Sequence, residues 1–184
     1  MSSTVSSRML ICWVNCPKNT VMRRKRVSAM SDKPLTTGIT LDSWAVLAWL
    51  QGEPAGILVR DLLNWRSGKP PAAGRTTPLL QQFTGPPDIF MNIINLGEVF
   101  YILGRKKGVN TATQTINRIR QSIEIVPATN ELVLKAASIK MRHAVTYADA
   151  FALATAKEKK SLLMTGDPEI KETGEAEIFW IGPP

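Results

Sequence analysis

The chain has 184 residues, 44% of them hydrophobic, enough for one domain with an ordinary core. No apolar run approaches the roughly 18 residues of a membrane span, so no membrane partner is expected. The formal charge of +8 suggests nucleic acid, but six of the 23 bases and none of the 15 acids lie in residues 1–30, which leaves 17 bases against 15 acids elsewhere.

Both cysteines, Cys12 and Cys16, fall in that same stretch, and the only imidazole is His143. This excludes a disulfide framework and a structural zinc site in the domain. It also leaves Cys-His or Ser-His-Asp catalysis dependent on His143 alone. Any chemistry is expected to use carboxylates and a hard metal, and the cysteine distribution fits a cytoplasmic protein.

Residues 1–37 show no steady periodicity and read as a disordered basic extension. "RMLICWV" is too short for a signal-peptide core, and "RRKR" follows it instead of preceding it. Met30 opens "MSDKPLTTGITLDS", which looks like a natural start. Three readings stand: a start placed too early, a genuine tail, or an Arg/Ser-rich transit peptide. The domain is expected over 38–184.

From there the pattern is regular. "GITLD" (38–42) is a buried strand, and "SWAVLAWLQ" (43–51) a helix with Ser43 as its N-cap. "EPAGILVRDLLNW" (53–65) is a helix with Pro54 in its first turn, and the Pro/Gly-rich 66–87 a loop. "DIFMN" (88–92) is a strand; "NLGEVFYILGRKKG" (95–108) is a helix closed by a basic turn and Gly108. Residues 111–122 form a helix, 123–128 a strand, and 130–143 and 146–160 helices, the last being amphipathic. "SLLMTGD" (161–167) is a strand running into a tight turn, and "AEIFWIG" (176–182) the last strand. Strands alternating with helices predict an α/β fold with a mainly parallel sheet covered on both faces. Ligands bind beyond the carboxyl ends of the strands in such sheets.

Two acids fall at such ends, Asp42 and Asp167, and two near helix starts, Glu98 and Asp149. Each has a bland reading. Asn95-x-x-Glu98 and Thr146-x-x-Asp149 fit capping boxes, Asp42 a polar strand end, and Asp167 a Gly-Asp-Pro turn. Together they are less bland, because all four sit among apolar or small residues. If they converge, each pair at 4 Å costs about 4 kcal/mol at an effective dielectric near 20. Converging carboxylates must protonate or bind a cation, and a hard divalent ion suits all-oxygen ligands.

The ordered segments "ITLDSWAVLAWLQGEP", "MNIINLGEVFYILGRKKG", "TYADAFALATAKEKK" and "LLMTGDPEIK" resemble the PIN-domain family, most closely its VapC-type toxins, over about 38–182. The resemblance implies a three-layer α/β/α sandwich with a central parallel sheet. It implies an endoribonuclease dependent on Mg²⁺ or Mn²⁺ that hydrolyses RNA with metal-activated water. A cognate VapB-like antitoxin and a homodimer are implied as well. Asp42, Glu98, Asp149 and Asp167 match the family's catalytic and metal-binding acids, and Ser43 and Thr165 the hydroxyl positions that orient them. The N-terminal extension and the long 66–87 stretch depart from the family pattern.

A haloacid-dehalogenase-type phosphatase would need Asp or Thr two residues after Asp42, where Trp44 stands, and no Gly-rich dinucleotide or Walker loop is present. The alternative from another class is a non-catalytic module that binds RNA or protein, with the acids serving as caps. His143 and Arg105–Lys106–Lys107 read as helix C-terminal charges, the latter with an RNA-phosphate contact as second reading. Trp44, Trp49 and Trp65 read as core or dimer packing; Tyr101 reads equally as a helix-packing or a site-adjacent residue.

Overall fold

The computed structural model describes residues 38–69, 80 and 83–183. The expected extension 1–37, with Met30 and both cysteines, lies outside the described residues, as do 70–79 and 81–82 of the Pro/Gly-rich stretch. The chain divides into units Met1–Pro34 and Leu35–Pro184, and the described residues all belong to the second.

Five strands form one sheet: β1 (Gly38–Leu41), β2 (Asp88–Asn92), β3 (Glu124–Val126), β4 (Leu162–Thr165) and β5 (Ile178–Trp180). Their order is β3-β2-β1-β4-β5, and every pairing is parallel. The helices are α1 (Ser43–Gln51), α2 (Gly56–Arg66), α3 (Ile93–Lys107), α4 (Val109–Ser122), α5 (Asn130–Arg142), α6 (Tyr147–Lys159) and α7 (Pro168–Glu172).

The period-2 alternation of strand side chains builds two cores, one on each face. Ile39, Leu41, Ile89, Met91, Leu162 and Met164 point into a core shared with Val46, Val59, Leu62, Val99 and Ile119 of α1–α4. Phe90 and Leu163 point the other way, against Leu132, Ala136 and Ile139 of α5 and Phe151 and Leu153 of α6. The result is the expected three-layer sandwich. Trp44, Trp49 and Trp65 pack, partly buried, against the first core, as their apolar helical faces predict.

Several boundaries differ from expectation for local reasons. Asp42, not Ser43, is the N-cap of α1, because its carboxylate accepts from the Ser43 N–H. Asn92, not Asn95, caps α3, accepting from the Ile94 N–H. Glu98 therefore stands beyond the first turn, and the Asn95-x-x-Glu98 capping box does not form. Helix α2 begins at Gly56 rather than at 53, where a Cβ would meet the Trp49 backbone at 2.3 Å; the glycine lets α1 and α2 approach. Helix α4 begins at Val109, directly after Gly108, whose φ of 84° ends α3 as predicted. The segment after Asp167 is a short helix, α7, with Pro168 at its start.

Helix α6 is less amphipathic than its sequence suggests. Every residue from Asp149 to Thr155 is buried, as is Ala156, so α6 is a central element rather than a surface one. Its alanines let neighbouring backbones come close. Beyond it, Glu175 pins the loop between α7 and β5 to the helices. Its carboxylate accepts from Arg142 at the end of α5 at 2.6 Å, from Lys157 of α6, and lies 3.1 Å from His143 Nε2. His143 thus complements a carboxylate in addition to ending α5. Among the described residues no helix is long and apolar enough to cross a membrane.

Candidate functional site

Strands β2 and β3 lie on one side of β1, and β4 and β5 on the other. The progression of strands across the sheet therefore changes direction between β1 and β4, the switch point beyond whose carboxyl ends a ligand crevice is expected in open α/β sheets. The adjacency of these two strands was the condition that sequence could not supply. Their register runs Ile39 to Leu162, Thr40 to Leu163 and Leu41 to Met164, and the Asp42 N–H donates to the Met164 carbonyl at 3.2 Å. Asp42 and Thr165 consequently meet at the edge, with the Thr165 hydroxyl donating to Asp42 Oδ2 at 2.9 Å.

Asp42 is 1% exposed. Its Oδ1 accepts from the Ser43 N–H at 2.6 Å, and the two bonds together hold the carboxylate in one orientation. Burial pushes its pKa from 3.8 up to about 7; the Thr165 and Ser43 hydrogen bonds oppose this, while the charges of Asp149 and Asp167 add to it. The structure thus brings Asp149 and Asp167 each within electrostatic reach of Asp42.

Asp149 is buried and completes a capping box. Its Oδ2 accepts from the Thr146 N–H at 2.8 Å, and the Thr146 hydroxyl accepts from the Asp149 N–H at 3.2 Å. Oδ1 has no hydrogen-bond partner among the described residues. Asp167 caps α7 by accepting from the Glu169 N–H at 2.8 Å, and its own N–H donates to the Thr165 hydroxyl at 3.0 Å. Thr165 therefore links two of the acids. Gly166 between them carries no Cβ because the Trp44 ring occupies that space, 2.3 Å from where one would stand.

Glu98 is placed differently. It is half-buried on α3, accepts from the Tyr101 hydroxyl at 3.4 Å, and is not among the main influences on Asp42. Tyr101 is 47% exposed and stands beside Glu98, with the Arg105 guanidinium 5.2 Å from its ring centre. Arg105, Lys106 and Lys107 form the basic last turn of α3 as predicted.

Among the described residues no group of three or more Asp, Glu, His or Cys side chains is gathered closely enough to hold an ion directly. The donor set is open: carboxylate oxygens at a partly desolvated edge, with Asp149 Oδ1 unengaged among the described residues. Such a set fits a hard ion that takes one or two carboxylates and keeps waters, as Mg²⁺ does. It does not fit a closed cage or a soft metal.

Sequence reasoning missed Asn92 and the true place of Asn95. Both are fully buried. Asn92 Nδ2 donates to the Thr155 hydroxyl at 3.2 Å, joining β2 to α6. The signal was present in "MNIIN": an asparagine ending a strand just before a helix is an N-cap.

The dual duty of Asp149 separates in two variants. Asp149→Asn keeps an acceptor for the Thr146 N–H, whereas Asp149→Ala loses it. Urea unfolding is expected to show the alanine variant about 1 kcal/mol less stable than the asparagine variant. Equal stabilities would deny the cap.

The PIN-domain family model matches residues 39–176. The chain belongs to the PIN-domain family. The matched span includes Asp42, Glu98, Asp149 and Asp167, and the sheet order above is that of a PIN fold. Solved structures share the architecture. VapC20 of Mycobacterium tuberculosis, a sarcin–ricin-loop-cleaving toxin, is 19% identical with a TM-score of 0.54, over 77% of this chain and 98% of that one. DNA-bound VapBC of Salmonella typhimurium is 12% identical with a TM-score of 0.56, over 79% and 99%. FitAcB of Neisseria gonorrhoeae is 17% identical with a TM-score of 0.52, over 78% and 97%. At these identities the likeness establishes the fold. No curated protein sequence matches the chain.

Proposed function

We propose that residues 38–184 form a PIN nuclease of the VapC toxin type, a metal-dependent endoribonuclease held in check by a VapB-like antitoxin in the cytoplasm, and active as a homodimer. The observation that carries this reading is the wholly buried Asp42 at the crevice of the sheet, its pKa raised further by Asp149 and Asp167. A fold maintains mutually repelling, desolvated acids where they bind a cation. Membership of the PIN family, and solved neighbours that are toxins or toxin–antitoxin complexes, support the substrate class and partner.

Asp42, Asp149 and Asp167 would hold Mg²⁺ or Mn²⁺ directly or through water, with Glu98 approaching from α3. A divalent ion bound there would supply Lewis acidity and lower the pKa of a bound water. Asp42 is oriented for this by Thr165 and the Ser43 backbone, so neither oxygen needs to reorganise. Thr165 and Ser43 orient ligands and are not nucleophiles. Asp149 Oδ1, without a hydrogen-bond partner among the described residues, would be available to the ion while Oδ2 holds the helix start. The basic turn Arg105–Lys107 offers contacts for RNA phosphates.

The purified chain should cleave RNA with Mn²⁺ or Mg²⁺, lose cleavage in EDTA, and lose it in Asp149→Asn, which keeps the cap. Cleavage that persists in EDTA and in the variant would overturn the assignment. The non-catalytic reading draws on the loose spacing of the acids among the described residues. It predicts no saturable binding of divalent ions.

A further inference from the structure

We propose that Asn95 is a positioning residue that fixes the spacing between the Asp42 and Asp149 sides of the site; the inference rests on the metal-site reading above. Asn95 is 0% exposed in the first turn of α3. Its Nδ2 donates to the Ser43 hydroxyl at 3.1 Å and to the Ala148 carbonyl at 3.0 Å. Ser43 follows Asp42 and Ala148 precedes Asp149. The Ser43 hydroxyl donates back to the Asn95 carbonyl at 3.2 Å, closing a ring between α1 and α3. One amide thus joins the first turns of α1, α3 and α6, the three helices that carry Asp42, Asp149 and, three residues beyond Asn95 itself, Glu98.

The geometry leaves a cost that packing alone would avoid. Both Nδ2 hydrogens are committed, and Asn95 Oδ1 is buried with no hydrogen-bond partner among the described residues. An unsatisfied buried acceptor destabilises the fold, and an apolar side chain of the same shape would not carry it. The amide cannot be turned to relieve this, because the Ala148 carbonyl requires a donor. What the amide provides, and leucine cannot, is a fixed distance between the backbones that bear the acids. Like-charged carboxylates tend to move apart, and their separation decides how tightly an ion is held.

The test compares the full chain with Asn95→Leu, Asn95→Ala and Ser161→Ala. Ser161 shares a buried hydroxyl–hydroxyl bond of 2.6 Å with Thr40 at the start of β4, away from the acid-bearing edge, so its loss lowers stability without touching the acids. Calorimetric titration with Mn²⁺ should show the affinity falling about ten-fold in both Asn95 variants and staying within two-fold in Ser161→Ala. RNA cleavage should lose kcat with little change in KM. Unchanged Mn²⁺ affinity in the Asn95 variants, an equal loss in Ser161→Ala, or failure of both Asn95 variants to fold would overturn the positioning role. A wild-type chain without saturable Mn²⁺ binding would instead overturn the metal reading beneath it.

Discussion

Asp42→Asn is expected to abolish RNA cleavage while making the protein more stable at pH 8 in EDTA. The carboxyl is 1% exposed, and burial lifts its pKa from 3.8 to about 7. Keeping it ionised at pH 8 therefore costs the folded state on the order of 4 kcal/mol. Asparagine keeps the volume, can still accept from the Ser43 N–H, and can donate to the Thr165 oxygen. It forgoes the stronger bonds a charged acceptor makes, so the net gain should be roughly 2 kcal/mol, or about 5 °C in Tm. Cleavage should fall by at least about a thousand-fold, since a neutral amide binds a hard divalent ion poorly. Thermal melting and a cleavage assay on the same preparation read both effects. A variant that is less stable and still active would show that Asp42 is merely a helix cap.

Without metal, the stability of the wild type should pass through a maximum near pH 4–5 and decline toward pH 7. Two carboxylates pull in opposite directions. Arg142, Lys157 and His143 around Glu175 lower its pKa from 4.5 to about 2, the Lys157 bond first. A depressed acid contributes stability above its unfolded pKa of 4.5 and loses it as pH falls toward 2. Asp42 is raised, so the folded state binds its proton more tightly than the unfolded chain does. Its contribution is present at acid pH and is lost as pH rises from 3.8 through 7. Melting temperatures in EDTA across pH 2–8 should show both limbs. Asp42→Asn should flatten the upper limb and Glu175→Gln the lower one. A wild-type stability that climbs steadily to pH 8 would contradict the buried charge at Asp42.

Strand and helix order were legible because each strand is a short apolar run and each helix has a polar stop. "GITLD" and "DIFMN" became β1 and β2 with at most one residue of difference, and "SLLMTGD" became β4 over Leu162–Thr165, its last two residues lying between the strand and α7. The Thr146–Asp149 capping box formed as its sequence signature predicts. The failures came where two residues compete for one cap. Asp42 outcompetes Ser43 because it sits at the strand end with extended backbone, and Asn92 outcompetes Asn95 for the same reason. The pairing of β1 with β4 was beyond the sequence, since 121 residues separate Thr40 from Ser161 across that seam. Without that pairing, Asp42 and Asp167 were two strand ends; with it, they share one crevice. Glu98 marks the limit of motif reading. Its place in "NLGEV" was clear, but the start of α3, and so the position of Glu98 along it, is set by the Asn92 cap.

The capping reading of Asp149 and the proposed metal-binding one are compatible, because among the described residues the cap occupies only Oδ2. Asp42 and Asp167 likewise cap the helices that follow them. Capping thus orients all three acids, and it explains why the single-residue readings looked sufficient.

Binding of a divalent ion by these acids can be read by calorimetric titration of the wild-type chain with Mn²⁺ at pH 8, beside Asp42→Asn and Asp149→Asn. Saturable binding in the wild type that is lost in both variants is the predicted result. A wild type that shows no saturable binding, or variants that bind as it does, would contradict it.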